Sequence, residues 1–392
     1  MNVFPARWRA LFAATLGYLL DAMDVVLYLF ALPAIRQEFG LSNAQAGLAM
    51  AATMAASAVG GIGAGILADR IGRRRTLMLT ILAYSLGSAG SATATGLWSL
   101  LFWRAVVGLG LGGEWSSGAV LVSESWPARH RAKAIGFMQS GFSMGYMLAA
   151  VLAAFVLPRW GWRTLFWIGL APALLTVWIR RGVEEPQVWL ERRETASFFR
   201  IFQAPLLRRT VVATAVATSV LLGYWGLFTW LPSFLSSARE GGGAGLTMFS
   251  TMGWIAAVQC GAIAGYWSFG YLADRFGRRI TFFLYVAGAA AIIPVFGSNP
   301  SLALGPLVGF FGTGYFSLFG AMLAELYPTE SRGAGQGFTY NFGRGLAAAA
   351  PYMVGRVADS RGLGGALALN SAFFVAAAAL VWLLPETKGR EL

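Results

Sequence analysis

Gly65-Ile66-Leu67-Ala68-Asp69-Arg70-Ile71-Gly72-Arg73-Arg74-Arg75 returns 205 residues later as Gly270-Tyr271-Leu272-Ala273-Asp274-Arg275-Phe276-Gly277-Arg278-Arg279-Ile280, with 8 of 11 positions identical. Each copy follows a long apolar run and precedes another. An internally duplicated apolar chain with a charged turn at the same place in each half is the pattern of membrane transporters built from two repeats.

The sequence around these turns agrees. The 392 residues are 57% hydrophobic and 12% charged. Crossing about 30 Å of hydrocarbon takes about 20 apolar helical residues. Twelve such stretches are centred near residues 21, 57, 85, 110, 145, 170, 222, 260, 288, 313, 344 and 374. The segments between them are short. An all-α integral membrane fold is expected, with one six-helix bundle over 1–182, a linker over 183–204 and a second bundle over 205–392. Within the linker Glu184, Glu185, Glu191, Arg192, Arg193 and Glu194 alternate in sign, which suits an amphipathic surface helix or a simple connection between bundles.

A net charge of +13 suggests nucleic acid in a soluble protein, but the positions of the charges exclude that reading. With the N-terminus cytoplasmic, 22 of the 30 Lys and Arg fall on the cytoplasmic side. Six fall on the far side: Arg36, Arg159, Arg163, Arg239, Arg356 and Arg361. The bias follows the positive-inside rule and places both termini in the cytoplasm of a multi-pass inner-membrane protein. The first apolar run is too long for a signal peptide and carries two acids. Cys260 lies within a span and His130 in a basic loop, so neither a disulfide framework nor a metal site is expected.

A second duplication has an offset of 201. Glu124-Ser125-Trp126-Pro127 leads to Arg131, and Glu325-Leu326-Tyr327-Pro328 leads to Arg332. In each copy the proline ends one helix and the arginine starts the next. Glycines concentrate within spans, as in Gly108-Leu109-Gly110-Leu111-Gly112-Gly113, and allow close helix approach.

The doubled Gly-x-Leu-Ala-Asp-Arg-x-Gly-Arg-Arg segment resembles the hallmark loop of the major facilitator superfamily, between spans 2 and 3 and between spans 8 and 9. The resemblance covers the whole chain. It implies that Asp69, Arg70 and Arg73, with Asp274, Arg275 and Arg278, form latches on the cytoplasmic side. Each carboxylate would accept from a helix N-terminus across the bundles and from nearby arginines. The alternative is that the arginines only anchor topology. Asp21 and Asp24 in span 1, Gly112-Gly113-Glu114-Trp115 in span 4, the aromatic run from Tyr224 to Trp230 in span 7 and Tyr340-Asn341-Phe342-Gly343-Arg344 in span 11 look like the proton symporters of organic acids, including the sialate/lactate and aromatic-acid branches. Pro385-Glu386-Thr387-Lys388-Gly389 also resembles sugar porters, but the paired glutamines those carry in span 7 are absent.

An ionised side chain at the bilayer centre costs at least about 2.5–3.5 kcal/mol. Asp21, Asp24, Arg104, Glu114 and Arg344 all fall within spans. Asp21 and Asp24 are three apart on one helix face, where two carboxylates repel when both are ionised and a shared proton is favoured. With Arg104 and Glu114 they are the candidates for proton coupling. The competing reading is permanent pairing of the acids with Arg104 or Arg344. Glu114 lies toward the cytoplasmic end of span 4, where partial exposure is expected.

Arg344 is the preferred anchor for a carboxylate substrate, because guanidinium offers a planar fork and stays charged in a dry site. Asn341, one turn earlier, completes the grip. Tyr224 and Trp225 wall the cavity, and Tyr146, Gln259 and Tyr315 supply polar tips near mid-span. The expected activity is proton-coupled symport of a small organic anion by a monomer, without cofactor and without enzymatic chemistry. Transport of a sugar, or export of a drug-like solute, is the alternative. No phosphate-binding loop points to ATP.

Overall fold

A computed structural model describes residues 5–41, 43–191, 197–236, 239, 244–246 and 248–390. The chain runs α1 (Ala6–Phe39), α2 (Asn43–Ile71), α3 (Arg73–Ala92), α4 (Leu97–Ser125), α5 (Arg131–Ile168), α6 (Pro172–Gly182) and a single turn α7 (Gln187–Leu190). It continues with α8 (Leu206–Ser236), α9 (Met248–Phe276), α10 (Arg278–Ser298), α11 (Leu304–Thr313), α12 (Phe316–Leu326), α13 (Arg332–Ala347) and α14 (Ala350–Leu380). Nine stretches among the described residues are long and apolar enough to cross a membrane.

The breaks between helices repeat as the sequence does. Gly72 and Gly277 separate α2 from α3 and α9 from α10 with φ of 103° and 107°. That region disfavours a side chain, so the hallmark loop needs glycine there. Non-helical residues inside α5 and α14 fall at Gly161 and Gly362, again 201 apart. Divided there, α5 supplies span 5 and the start of span 6, and α14 the end of span 11 and span 12. α11 with α12 forms span 10 and α13 opens span 11, which makes twelve span-like helical units among the described residues.

Helices α1 to α6 pack on one another, chiefly α1 on α5 and α4 on α2 and α3. Helices α8 to α14 do the same, through α8 and α10 on α14 and α9 on α11. Between the two sets α2 lies along α13 and α5 along α9. Around Gly65 the α2–α13 contact is nearly bare backbone. A Cβ on Gly65 would collide with the carbonyl of Gly333 and lie 3.1 Å from the Cα of Gly337. Such close approach, without interlocking side chains, is what small residues permit between membrane helices.

The linker contains the four-residue turn α7 and a 3-10 segment at Phe198–Phe202, with no longer helix among its described residues. Arg192, Arg193 and Glu194 lie outside the described residues, as does the side chain of Arg36.

Candidate functional site

Where the two sets of helices face each other near mid-span, aromatic side chains converge on one arginine. Tyr18 on α1 and Phe142 on α5 meet Tyr224 and Trp225 on α8, Tyr266 on α9, Phe316 on α12, and Tyr340 and Arg344 on α13. The cavity is narrowed to about 20 Å³, room for roughly one water. A substrate enters only if these walls part. Arg344 Nη1 is buried with no hydrogen-bond partner among the described residues, and the guanidinium stands 5.9 Å from the Tyr340 ring. Trp225 Nε1 is likewise buried and unpartnered. A low-dielectric pocket with an unpartnered guanidinium nitrogen and flat rings suits a carboxylate attached to an apolar or planar body.

Asp21 lies within electrostatic reach of Arg344 and of Asp24, and makes no hydrogen bond or ion pair among the described residues. Asp24 is held quite differently. It accepts from the Ser88 hydroxyl on α3, and its Oδ2 is 3.4 Å from Arg104 Nη1 on α4. Arg104 in turn sits 4.7 Å above the Tyr28 ring and donates to Thr53. The two aspartates share a helix face, yet Asp21 is within electrostatic reach of Arg344 in the second bundle without lining the cavity, whereas Asp24 is bonded within the first bundle.

Glu114 departs from the expected partial exposure. Its residue is 0% exposed, and neither carboxylate oxygen has a partner among the described residues. Gly17 of α1 packs directly against it and encloses a position that helix depth alone would leave near the end of the span.

The remaining expected substrate contacts do not line this cavity. Asn341 is fully buried and donates to Ser116 Oγ on α4 and to the Gly337 carbonyl, both at 3.0 Å, with Gly61 of α2 packed against its amide. Gln259 Oε1 accepts from Ser143 at 2.7 Å between α9 and α5. Tyr315 is buried among Phe282, Phe316 and Phe374 of the second bundle. Tyr146 packs on the apolar core of the first. Sequence reasoning missed Tyr18, Phe142, Tyr266, Phe316 and Tyr340 as cavity walls. Aromatic residues abound in the spans, and nothing in their spacing separates these from core or lipid-facing rings.

At the end of the molecule that carries both hallmark loops, here termed the basic face, charges cross between bundles. Asp69 accepts from the backbone N–H of Gly333 and Ala334 at 3.0 and 2.8 Å, at the start of α13. Arg73 bridges Asp69 at 3.1 Å and grips Glu124 with two nitrogens at 2.8 and 2.9 Å. Glu124 also holds Arg332 of the other bundle at 2.5 Å. The mirrored set has Asp274 accepting from the Lys133 N–H at 3.1 Å and from Arg278 at 2.9 Å, while Glu325 holds Arg278 at 3.0 Å and Arg131 at 2.9 Å. The Glu-x-x-Pro segments, expected only to end helices, therefore supply the acids of the network. Arg70 and Arg275 are exposed and contribute no side-chain bond to it among the described residues.

Two further glutamates cap this face. Glu185 accepts from the N–H groups of Arg73 and Arg74, and Glu386 from those of Arg278 and Arg279. Burial alone would raise the Glu386 carboxyl, but the backbone N–H groups of Arg278, Arg279, Lys388 and Thr387 outweigh it and hold it below the usual range.

Comparison with known proteins gives the arrangement a context. The model of the Major Facilitator Superfamily matches residues 14–269. A probable 4-methylmuconolactone transporter of Cupriavidus pinatubonensis is 33% identical over 98% of this chain and 92% of its own. The cis,cis-muconate transport protein of Acinetobacter baylyi is 32% identical over 94% and 92%, and the sialic acid transporter of Escherichia coli K12 is 32% identical over 96% and 93%. Among solved structures, a proton:xylose symporter bound to 6-bromo-6-deoxy-D-glucose superposes with a TM-score of 0.82 at 20% identity, covering 99% of this chain and 98% of its own.

Proposed function

The chain belongs to the major facilitator superfamily, and we propose that it carries a small organic carboxylate across the membrane by alternating access, coupled to a proton bound at Asp21. The observation that carries this reading is Arg344, with a buried, unpartnered guanidinium nitrogen in an aromatic cavity between the bundles. A guanidinium nitrogen left without a hydrogen bond at that depth is costly. A substrate carboxylate would complete it with two parallel hydrogen bonds. The rings of Tyr18, Tyr224 and Tyr266 favour a flat or unsaturated body. Cis,cis-muconate and sialic acid, for which two of the relatives are named, are carboxylates.

In this reading Asp21 and the substrate compete for Arg344. Ionised Asp21 pairs with the guanidinium. Once protonated it releases Arg344, and the substrate anion takes its place, so that proton and anion travel together. Asp24 and Arg104 act as a fixed pair that positions α1. The basic face is cytoplasmic by its excess of Lys and Arg, and its charge network holds that side shut while the substrate binds from the other. The termini are then cytoplasmic and the membrane is the cell's inner membrane.

The test uses purified protein in proteoliposomes with an imposed pH gradient and a radiolabelled carboxylate such as muconate or a benzoate. Uptake should be concentrative toward the alkaline lumen. Arg344→Ala should abolish both uptake and substrate-dependent thermal stabilisation. Accumulation toward the acidic side would mean antiport and would overturn the coupling direction. Stabilisation by neutral sugars but not by carboxylates would overturn the substrate class.

A further inference from the structure

Beside the latch, at the edge of the basic face, lies a recess of about 470 Å³ that transport does not use. It is lined by Pro205, Arg208 and Arg209 at the start of α8 and by Leu383, Leu384 and Pro385 at the end of the last span. No acidic side chain lines it. Arg208 is exposed and makes no side-chain bond among the described residues. Arg209 spends one nitrogen on the Leu326 carbonyl at 3.4 Å and keeps the rest of its donors. A second recess of about 440 Å³ adjoins it, sharing Pro205 and Arg209 and adding Arg200 and Arg390 together with the acids Glu325 and Glu330.

The surroundings fix the depth of this corner. On α8, Leu207 and Val211 are 45% and 58% exposed and stand one turn apart on one side of the helix, directly beside Arg208. Leu383 is 53% exposed and Trp382 45%. Large apolar side chains left open along a spanning helix face lipid tails, and a tryptophan at the end of a span marks the headgroup level. The recess therefore sits where hydrocarbon gives way to headgroups, with two guanidinium forks on the polar side and an aliphatic stripe on the other.

We propose that this corner is a binding site for an anionic glycerophospholipid. Its phosphodiester is held by Arg208 and Arg209, and an acyl chain runs along Leu207, Val211 and Leu383. Guanidinium matches phosphate oxygens in a planar fork, and juxtamembrane basic residues attract anionic headgroups. A zwitterionic lipid brings its own ammonium to the phosphate, and among the described residues no acid lines this recess to receive it, Glu330 with its unpartnered carboxylate oxygen lying in the adjoining one. Arg209 is bonded to Leu326, the neighbour of the latch residue Glu325, so an occupied site also braces the closed basic face.

Native mass spectrometry of the purified full chain, titrated in detergent with dioleoyl phosphatidylglycerol or dioleoyl phosphatidylcholine, tests this. One phosphatidylglycerol should be retained at concentrations where phosphatidylcholine is not. Arg208→Gln with Arg209→Gln should weaken retention by about twenty-five-fold, roughly fivefold for each arginine. Arg129→Gln, which removes an exposed arginine elsewhere on the same face, should leave retention unchanged. Equal loss in the Arg129 variant, or equal retention of the two lipids, would reduce the corner to a topology signal and overturn the proposal. Displacement by soluble glycerol 3-phosphate at matched concentration would also overturn it, as a site for free anions. If the double variant is not monodisperse, Arg208→Gln alone carries the test, and unchanged retention in that variant is fatal to the proposal.

Discussion

Arg332 Nη1 stands 2.5 Å from Glu124 Oε1, and the two residues belong to different bundles. Their counterparts 201 positions away, Arg131 and Glu325, make the reverse connection at 2.9 Å. The basic face is thus closed by two buried ion pairs related by the internal repeat, each extended by a hallmark arginine within its own bundle.

Glu124→Gln removes the charge that holds both Arg73 and Arg332. Deleting one partner of a buried pair costs about 3–5 kcal/mol, here charged to the closed state alone. Hydrogen exchange at Gly333 and Ala334 should accelerate strongly, and turnover should fall at least tenfold. Native-like protection of those amides together with reduced turnover would place the defect elsewhere.

The two latches are not equal. Asp69 receives two backbone N–H groups from across the bundles at 3.0 and 2.8 Å and is buried, whereas Asp274 accepts the Lys133 N–H at 3.1 Å and its residue is more open. Asp69→Asn should slow transport more than Asp274→Asn, with substrate affinity changed less than twofold in both. Indistinguishable rates for the two variants would refute the asymmetry.

Arg344→Lys keeps the charge and loses the fork. A hydrogen bond to a charged group contributes about 1.5–3 kcal/mol, so carboxylate affinity should fall about tenfold to a hundredfold by calorimetry. Arg344→Ala should leave no measurable binding. A dissociation constant in the alanine variant equal to that of the parent protein would remove Arg344 from the site.

Asp21 and Asp24 should separate under the same substitution. Asp21→Asn should abolish pH-driven accumulation while substrate exchange, which moves no net proton, continues. Asp24→Asn strands Arg104 in the core of the first bundle and should lower thermal stability, with exchange and accumulation declining together. Concentrative uptake by Asp21→Asn in a proton gradient would move the coupling site, and the buried, unpartnered Glu114 would be examined next.

The sequence carried the architecture because a repeat encodes itself twice. Gly72 and Gly277, Pro127 and Pro328, and Arg73 and Arg278 return at fixed offsets, and each pair occupies matching places in the fold. The candidate site was legible in its charges and not in its walls. Arg344 and Asp21 are conspicuous because hydrocarbon penalises them, but a tyrosine in a span carries no such penalty, so Tyr18 and Tyr266 gave no signal. Asn341 shows a different limit. It lies three residues from Arg344, yet α13 meets α2 and α4 on one side and the central gap on the other, and that small rotation commits its amide to Ser116. For Glu114, position along the helix indicated depth in the membrane, whereas burial was decided by a glycine on a neighbouring helix.

The bare backbone seam between Gly65 and Gly333 makes the joint between the halves a pair of smooth plates. At that seam no side chain has to be unthreaded when they part, so the hold on the closed form comes from elsewhere: the electrostatic clasp and the bonds of Asn341 to Ser116 and of Ser143 to Gln259. The same smoothness makes the seam a place for a wedge. One methyl group at Gly65 has nowhere to go while the plates are shut, and a Gly65→Ala protein would be propped in the opposite posture, a trapped form for capturing the other half of the cycle.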